Sequence, residues 1–348
     1  MTAPVFVVGC PRSGTTLLRN LLRSHPALSF PSESHFIPLF YRAWGDPPDD
    51  RSARRLAARI LALHWVRRWE LDLGPEHFDG CRTYAALIDR LYAAVAARDG
   101  ARRWGDKTPF YAREIPTLER LFPTAQFLHV VRDGRDVAAS LLRASFTART
   151  PYTAALYWKA HVTAARRDGA PLGPDRYLEV EYGALLRDTE GTMRRVLAFL
   201  GEPFDARVLV QSPLDWRRFV PTFGPRRAAQ VSDTDIVRDN AGKWRRTLAP
   251  DDVAVIETAA GDLLAELGYE PTGTARRVRL AERLAWRASD RLRWIAYQLA
   301  RENKRVWVPS ELTLRWAGVR GRWPLPRRPR RRGAERIRDR VRPTRAHP

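Results

Sequence analysis

The sequence predicts a three-layer α/β fold of the P-loop NTPase-like type, with a central, mainly parallel sheet, a helical insert and a basic C-terminal extension. Short apolar runs typical of buried parallel strands occur at 4–8 (PVFVV), 126–131 (QFLHVV) and 177–182 (YLEVEY). Segments with helical periodicity alternate with these runs, which favours a parallel sheet covered on both faces. The first run leads into a glycine-bounded loop and then a helix, as in phosphate-binding loops.

The other elements follow in order along the chain. The first helix, 15–24, ends at His25-Pro26, because a residue before proline disfavours the helical conformation. Helical periodicity returns in the insert at 51–69 and 82–98, and a turn at 132–134 precedes a helix at 135–144. A helix at 189–200 ends at Gly201, and a basic amphipathic helix is predicted at 272–300.

The distribution of charge predicts three parts of the chain. The net charge of the 348 residues is +22, but residues 271–348 hold 23 Arg and Lys against 6 Asp and Glu, which leaves a net charge of +5 for residues 1–270. We expect a main α/β domain at 1–270, a basic amphipathic helical extension at 271–319 and a disordered Arg/Pro-rich tail at 320–348. Because the extreme charge belongs to an appendage, specific nucleic-acid binding is not favoured.

Cysteine content and hydropathy predict a cytoplasmic protein. The two cysteines, Cys10 and Cys81, form no disulfide framework, which favours a reducing compartment. The first residues lack the features of a signal peptide, and no run of about 18 apolar residues occurs. The amphipathic extension predicts a peripheral contact with an anionic membrane. The alternative for this helix is packing on the domain through its tryptophans.

The loop at 7–18, VVGCPRSGTTLL, fits the phosphate-loop template GxxxxGK[ST] except at the lysine, where Thr15 stands. Backbone N–H groups and the dipole of the following helix still favour an anion here. Arg12 can replace the missing cation, since a guanidinium group holds two oxygens of a tetrahedral anion. A ligand-free turn between strand and helix, or a decayed nucleotide site, are the alternatives.

A second anion-binding stretch, RDGRDVAAS at 132–140, directly follows the strand QFLHVV. Arg132 stands at the carboxyl end of that strand, where open α/β sheets bind their ligands. Ser140 lies on the following helix, and the two side chains together suit a second phosphate. A solvated turn is the alternative.

Together with WGDKTP at 104–109, these two stretches resemble the sulfotransferases that use 3′-phosphoadenosine 5′-phosphosulfate (PAPS). The likeness covers about residues 4–268 and is closer to the branch that carries PRSGTT and includes the tyrosylprotein sulfotransferases. It implies transfer of the sulfuryl group to a hydroxyl or amine, with adenosine 3′,5′-bisphosphate (PAP) as the product. It also implies no obligatory metal, because the donor has no γ-phosphate.

The resemblance also implies the donor site. In it the loop 11–16 cradles the 5′-phosphosulfate, Arg132 and Ser140 hold the 3′-phosphate, and Tyr182 contacts adenine. The stretch 242–245 (GKWR) resembles the late basic loop of the family, with an ordinary surface loop as the alternative. The implied donor-binding residues are Pro11, Arg12, Ser13, Gly14, Thr15, Thr16, Arg132, Ser140, Tyr182, Gly242, Lys243 and Trp244.

The catalytic residues implied by the resemblance are Glu33, Lys107 and Arg12. Glu33, in PSESH, lies 21 residues after Arg12 and matches the catalytic glutamate of the tyrosylprotein branch. His35 as the base, or Glu33 as a surface carboxylate, are the alternatives. Lys107 matches the lysine that acts in the transition state, with a solvated lysine in a turn as the alternative. His129 is expected to be a core histidine.

The acceptor pocket is expected in the helical insert between about 36 and 103, which is rich in Trp and Arg. A small-molecule, carbohydrate or lipid-borne hydroxyl fits this composition. Two other functions compete with sulfuryl transfer. One is a P-loop small-molecule kinase with Arg12 in place of the lysine. The sequence does not favour it, because no apolar strand of this chain evidently ends in a metal-binding Asp. The other is a non-catalytic anion-binding protein tethered by its basic tail.

Overall fold

A computed structural model describes residues 3–144, 150–211, 236–273 and 276–302, with side chains as far as Leu292. Five strands form one sheet in the order β2-β3-β1-β4-β5, and every described pairing is parallel. The strands are β1 (Val5–Gly9), β2 (Leu28–Ser29), β3 (Arg103–Lys107), β4 (Gln126–Val131) and β5 (Tyr177–Glu181). The predicted parallel α/β class is confirmed.

Helices fill the connections between the strands and continue after the sheet. Before β4 they are α1 (Thr15–Leu22), α2 (Ile37–Trp44), α3 (Asp50–Leu61), α4 (His64–Arg67), α5 (Tyr84–Arg98) and α6 (Ile115–Leu121). After β4 they are α7 (Gly134–Leu142), α8 (Pro151–Gly169), α9 (Tyr182–Arg187), α10 (Thr189–Leu200), α11 (Trp244–Thr247), α12 (Pro250–Glu266) and α13 (Leu280–Glu302).

The three layers follow from the alternation of side chains along β1, all of which are buried. Phe6 and Val8 belong to the apolar core that α3 and α5 of the insert cover. Val5 and Val7 face the opposite core, which α1, α9 and α10 cover. Because both faces of the strand are covered, β1 reads in the sequence as a continuous apolar run.

The insert differs from its sequence prediction. The segment 51–69, for which the sequence predicts helical periodicity, forms two helices, because α3 ends at Leu61 and α4 begins only at His64. Leu63 between them has an extended backbone, with ψ of 134°. The break lets Val66 and Trp69 turn into the core of the insert. Burial of these two side chains therefore overrides a helical periodicity that runs through the whole segment.

The basic extension contains a helix that begins at Leu280, not at 272 as expected. Trp286 on this helix lies against Tyr152 of α8, with 5.6 Å between the ring centroids. The predicted tail at 320–348 lies outside the described residues, and the division of the chain into three parts stays a prediction. In the described part of the chain, no helix is long and apolar enough to cross a bilayer.

Gly14 fixes how the phosphate-binding loop joins α1. It precedes the helix in the left-handed conformation, with φ of 98°. A Cβ atom there would lie 2.1 Å from Cδ2 of Tyr182, the first residue of α9. The loop can therefore rest on the Tyr182 ring only while this position is glycine.

We expect Gly14→Ala to lower the free energy of unfolding by about 1–3 kcal/mol, because it adds left-handed strain and a clash with an aromatic ring. Thermal or denaturant unfolding measures the change. Gly261→Ala is the matched control, since Gly261 lies within α12 with nothing within 4 Å of a new Cβ. That variant should be more stable by about 0.5–1 kcal/mol. Equal stability of wild type and Gly14→Ala would contradict the packing described here.

Candidate active site

The register of the sheet brings two cations to the phosphate-binding loop. In β1, Val7 pairs with Lys107 of β3 on one side, and Gly9 pairs with Val130 of β4 on the other. Lys107 ends β3, and Arg132 follows the last residue of β4. The two side chains therefore flank the loop that leaves β1, at the carboxyl edge of the sheet where such folds bind ligands.

Arg12 lies at the tip of this loop in a conformation that is unusual for a residue with a side chain. Its φ is +78°, and the turn is closed by a hydrogen bond of 3.0 Å from the Ser13 amide to the Cys10 carbonyl. Arg12 Nε donates to Ser140 Oγ on α7 at 2.9 Å. The left-handed backbone thus turns Arg12 towards the second predicted anion-binding stretch, and the two stretches meet.

Arg132, Lys243, Arg143 and Arg12 form a basic cluster beside the loop. The pKa of Lys243 is lowered to about 8, first by burial and then by the positive charges of Arg132 and Arg143. Asp136 is the carboxylate that offsets part of this charge, and it pairs with Arg132 at 3.3 Å. A cluster with this excess of positive charge suits a phosphate dianion.

The late loop at 242–245 is attached to the start of α7, and its role in donor binding stays a prediction. The carboxylate of Asp136 accepts hydrogen bonds from the backbone N–H groups of Gly242 at 2.8 Å and Trp244 at 2.9 Å. The buried indole of Trp244 donates to Asp133 at 3.1 Å. Lys243 Nζ donates to Asn240 Oδ1 at 2.6 Å. These contacts hold Lys243 over the cluster.

The Tyr182 side chain packs against both the phosphate-binding loop and Arg132. The guanidinium of Arg132 lies over its ring, 4.4 Å from the centroid, and its hydroxyl accepts a hydrogen bond of 2.7 Å from Asn240. The side chain is buried, and Gly14 rests against it. Tyr182 therefore positions both the loop and Arg132, and its contact with adenine stays a prediction.

Two buried polar atoms at this site have no hydrogen-bond partner among the described residues: Ser13 Oγ and Arg132 Nε. A buried donor without a partner costs about 1–3 kcal/mol. Both groups can donate to anionic oxygen, and both belong to the predicted donor site. The residues present therefore fit the phosphate groups of a nucleotide.

Lys107 connects the loop to the predicted base. Its side chain is buried, so the solvated lysine is wrong. Nζ donates to Oε1 of Glu33 and, at 3.3 Å, to Oγ1 of Thr16 at the start of α1. One ammonium group thus contacts both the carboxylate and the first turn of the phosphate-binding helix.

Glu33 is ionised at neutral pH. Burial raises the pKa of Glu33, but the charge of Lys107 and the hydrogen bond from His35 outweigh it, so that the pKa lies below its ordinary value. His35 Nε2 lies 2.9 Å from Glu33 Oε2, and 32% of the Glu33 side chain is exposed. The carboxylate can therefore receive a proton from a substrate that reaches it from solvent.

The segment that carries Glu33 and His35 is fixed from the 3₁₀ turn that follows β3. The Ser34 amide donates to Thr108 Oγ1 at 3.1 Å, and the Ser34 hydroxyl shares a hydrogen bond of 2.8 Å with Tyr111. The Tyr111 hydroxyl also accepts from the Ile37 amide at 3.0 Å. His35 has a left-handed backbone, with φ of 57°. These contacts direct the His35 ring to Glu33.

Sequence reasoning missed Asp136, Asn240 and Arg19. Asp136 lies four residues after Arg132, and that spacing, which allows an ion pair at the start of a helix, was the available signal. Arg19 is buried on α1, and desolvation lowers its pKa to about 9. It adds a cation near Glu33, whose charge opposes that lowering. Nothing in the sequence shows the contact of Asn240 with Tyr182.

Other titratable residues near the sheet have structural roles. His129 is buried, as expected, and its Nδ1 shares a hydrogen bond of 2.6 Å with the Tyr177 hydroxyl. Burial raises the pKa of the Cys10 thiol, which keeps it neutral beside the loop. Asp106 is buried and accepts from the Tyr92 hydroxyl at 2.6 Å. Among the residues described, no three His, Cys, Asp or Glu side chains are grouped to hold a metal ion.

The sequence model of the sulfotransferase family matches residues 4–206 of this chain. The chain belongs to the sulfotransferase family. Protein-tyrosine sulfotransferase A of Caenorhabditis elegans is 28% identical over 276 residues, which cover 78% of this chain and 68% of that one. Nodulation protein NoeE of Sinorhizobium fredii is 26% identical over 288 residues, which cover 76% of this chain and 65% of that protein. The chain thus spans about two thirds of the length of these relatives.

A solved structure supports the same assignment. The sulfotransferase domain of the olefin synthase from Synechococcus PCC 7002 has a TM-score of 0.50 and 26% sequence identity, over 75% of this chain and 96% of that domain. The predictions of a PAPS-dependent sulfotransferase and of its fold are therefore confirmed, and neither the kinase nor the non-catalytic binding protein is favoured. The roles of individual residues in this sulfotransferase stay predictions.

We expect the affinity for PAP to fall by about tenfold or more as the pH rises from about 8 to about 10. Without the nucleotide, Lys243 has a pKa of about 8. A phosphate dianion stabilises its charged form and raises that pKa, so Lys243 takes up a proton on binding in this pH range and progressively less of one as the pH falls below it. Calorimetry in EDTA, in buffers of different ionisation enthalpy, measures both the affinity and the proton uptake.

Lys243→Arg is the matched variant, because arginine keeps its charge across this range. It should bind PAP with no pH dependence between about 8 and 10. An unchanged pH dependence in Lys243→Arg would show that another group titrates.

Proposed function

We propose that this sulfotransferase carries the sulfuryl group of PAPS to a hydroxyl group borne on an aromatic or other flat, apolar ring. The contact of Lys107 with both Glu33 and Thr16 carries the proposal. It joins a carboxylate suited to accept a proton to a loop suited to hold a phosphosulfate. The ring preference rests on the aromatic side chains around His35, which contacts Glu33.

In this proposal the chain holds the two anionic ends of the donor separately. The amide groups and hydroxyls of the loop at 11–16 bind the 5′-phosphosulfate, with Arg12 and Lys107 on its two sides. Arg132, Ser140 and Lys243 bind the 3′-phosphate. Because these side chains supply the positive charge, we propose that no metal is required, and PAP should bind in EDTA with no gain on addition of magnesium.

The donor supplies a sulfur atom bonded to the bridging oxygen of a phosphate. As the acceptor oxygen forms its bond to sulfur, Glu33 takes the hydroxyl proton, and the electron pair of the broken sulfur–oxygen bond stays on the phosphate. Lys107 and Arg12 stabilise the charge that develops there. An anion on the loop also draws Lys107 away from Glu33, which raises the pKa of the carboxylate and makes it a stronger base.

Aromatic rings surround His35, the residue that contacts the half-buried Glu33 carboxylate. The His35 ring lies 5.5 Å from Trp65 and 6.0 Å from Phe110, measured between centroids. Phe110 is 40% exposed, although it is a large apolar side chain. A flat acceptor ring can stack on this surface and present its hydroxyl to Glu33. The relative named for protein tyrosine agrees, since tyrosine carries its hydroxyl on an aromatic ring.

We expect Glu33→Gln to lower kcat by about 10²–10⁴-fold, because it keeps the shape of the side chain and removes the base. The affinity for PAP should change little. Steady-state and single-turnover rates with PAPS measure the effect. Glu76→Gln is the control, since Glu76 is an exposed glutamate of the insert. If Glu33→Gln keeps more than about a tenth of the wild-type kcat with chemistry rate-limiting, the base lies elsewhere, and His35 is the next residue to change.

We expect Phe110→Ala to raise KM about tenfold for a phenol such as 4-methylphenol, and to change KM little for an open-chain alcohol such as butan-1-ol. Trp44→Ala is the matched control, because Trp44 is an aromatic residue of the insert with 39% exposure. Equal KM values for wild type and Phe110→Ala with both acceptors would contradict the ring proposal while leaving sulfuryl transfer intact.

A further inference from the structure

Helix α13 has one face attached to the α/β domain. Trp286 lies against Tyr152, and Asp290 accepts a hydrogen bond from Thr153 Oγ1. Glu282 pairs with Arg276 at 3.2 Å, and Arg276 also pairs with Asp251 of α12 at 2.8 Å. Asp290 and Glu282, the acidic residues of this helix whose side chains the structure describes, therefore already have partners.

The opposite face of α13 is an exposed apolar stripe, which consists of Leu280, Leu284 and Leu292 with three alanines. These leucines are 70%, 56% and 67% exposed, and they are the exposed leucines of the described chain. The spacing of four and eight residues keeps them on one side of the helix, and Ala281, Ala285 and Ala288 lie beside them. A contiguous stripe of this kind is unfavourable in water and marks an interaction surface.

Arginines border the stripe, and three of them have no ion-pair partner among the described residues. They are Arg279, Arg283 and Arg291. Arg279 and Arg283, together with Arg277, line an open depression whose apolar part is Val278 and Leu280. The surface therefore combines exposed leucines with an excess of positive charge, since the neighbouring carboxylate, Glu282, pairs with Arg276.

The chemistry of this face selects its partner. A second copy of the chain that docked symmetrically through this same face would bring arginines against arginines. The sequence from 303 to 348 holds 15 Arg and Lys against 3 Asp and Glu, so it adds positive charge and does not supply the negative charge that these arginines lack. An anionic lipid surface offers both an apolar layer for the leucines and phosphate groups for the arginines.

We propose that the face formed by the stripe and its bordering arginines binds an anionic lipid bilayer. The helix lies in the plane of the interface, because its Trp286 face stays attached to α8. The leucines enter the boundary of the acyl chains, and the arginines contact the headgroups. This membrane contact does not depend on the sulfuryl-transfer chemistry, and the surface that makes it is separate from the active site.

The test is co-flotation of the full-length chain with vesicles of phosphatidylcholine and phosphatidylserine, at about 0.15 M salt. We expect wild type to bind these vesicles and to bind vesicles of phosphatidylcholine alone at least about tenfold less strongly. Leu284→Gln/Leu292→Gln should bind the anionic vesicles at least about tenfold less strongly than wild type, because glutamine keeps the helix and removes the apolar area.

Two further variants separate this face from general attraction to negative charge. Arg283→Gln/Arg291→Gln should weaken binding, whereas Arg51→Gln/Arg55→Gln should not, although it removes the same charge from exposed positions on α3. Thermal unfolding and PAP binding show whether each variant is folded. The proposal is overturned if the leucine variant floats as wild type does, if both arginine variants lose binding equally, or if wild type does not float with anionic vesicles.

Discussion

Strand β1 hydrogen-bonds in parallel with β3 on one side and β4 on the other, and the register of these two ladders decides what surrounds the phosphate-binding loop. Val7 opposite Lys107 and Gly9 opposite Val130 place Lys107 and Arg132 at the edge where β1 ends. Because side chains alternate along a strand, a slip of one residue would turn Lys107 to the other face of the sheet. The contact between Lys107 and Glu33, and so the catalytic arrangement, depends on this pairing.

The same edge concentrates positive charge that the fold only partly offsets. Asp136 receives two backbone hydrogen bonds from the late loop and an ion pair from Arg132, which joins the start of α7 to a segment more than 100 residues away. Ser13 Oγ and Arg132 Nε keep unused donor capacity, and Arg12 holds a left-handed backbone. The site is thus arranged for anionic oxygens before a ligand arrives, and binding of the donor relieves part of the electrostatic cost.

Local patterns in the sequence predict the elements whose signal is local. The apolar runs at 4–8 and 126–131 correspond to β1 and β4, and the glycine-bounded loop does precede a helix. The spacing of Glu33 from Arg12, read through a family resemblance, pointed to a carboxylate that the structure places against Lys107. These predictions succeed because periodicity and turn chemistry act over a few residues.

The features that were missed depend on long-range pairing and burial. RWGDK at 103–107 is polar enough to read as part of a turn, but as β3 it is buried between β1 and β2. The break at Leu63 follows from the burial of Val66 and Trp69, and the contact of Asn240 with Tyr182 joins residues 58 positions apart. The secondary-structure propensity of a segment contains no information about which distant segment it pairs with or packs against.

The most direct test of the central claim, that one sheet edge holds both anionic ends of the donor, is a crystal structure of the protein with PAP. We expect the 5′-phosphate on the amides of residues 13–16 beside Lys107. We expect the 3′-phosphate among Arg132, Ser140 and Lys243, with no metal between the phosphates and the protein. A 3′-phosphate bound away from Arg132, or a 5′-phosphate bridged to the chain by a metal ion, would contradict this claim.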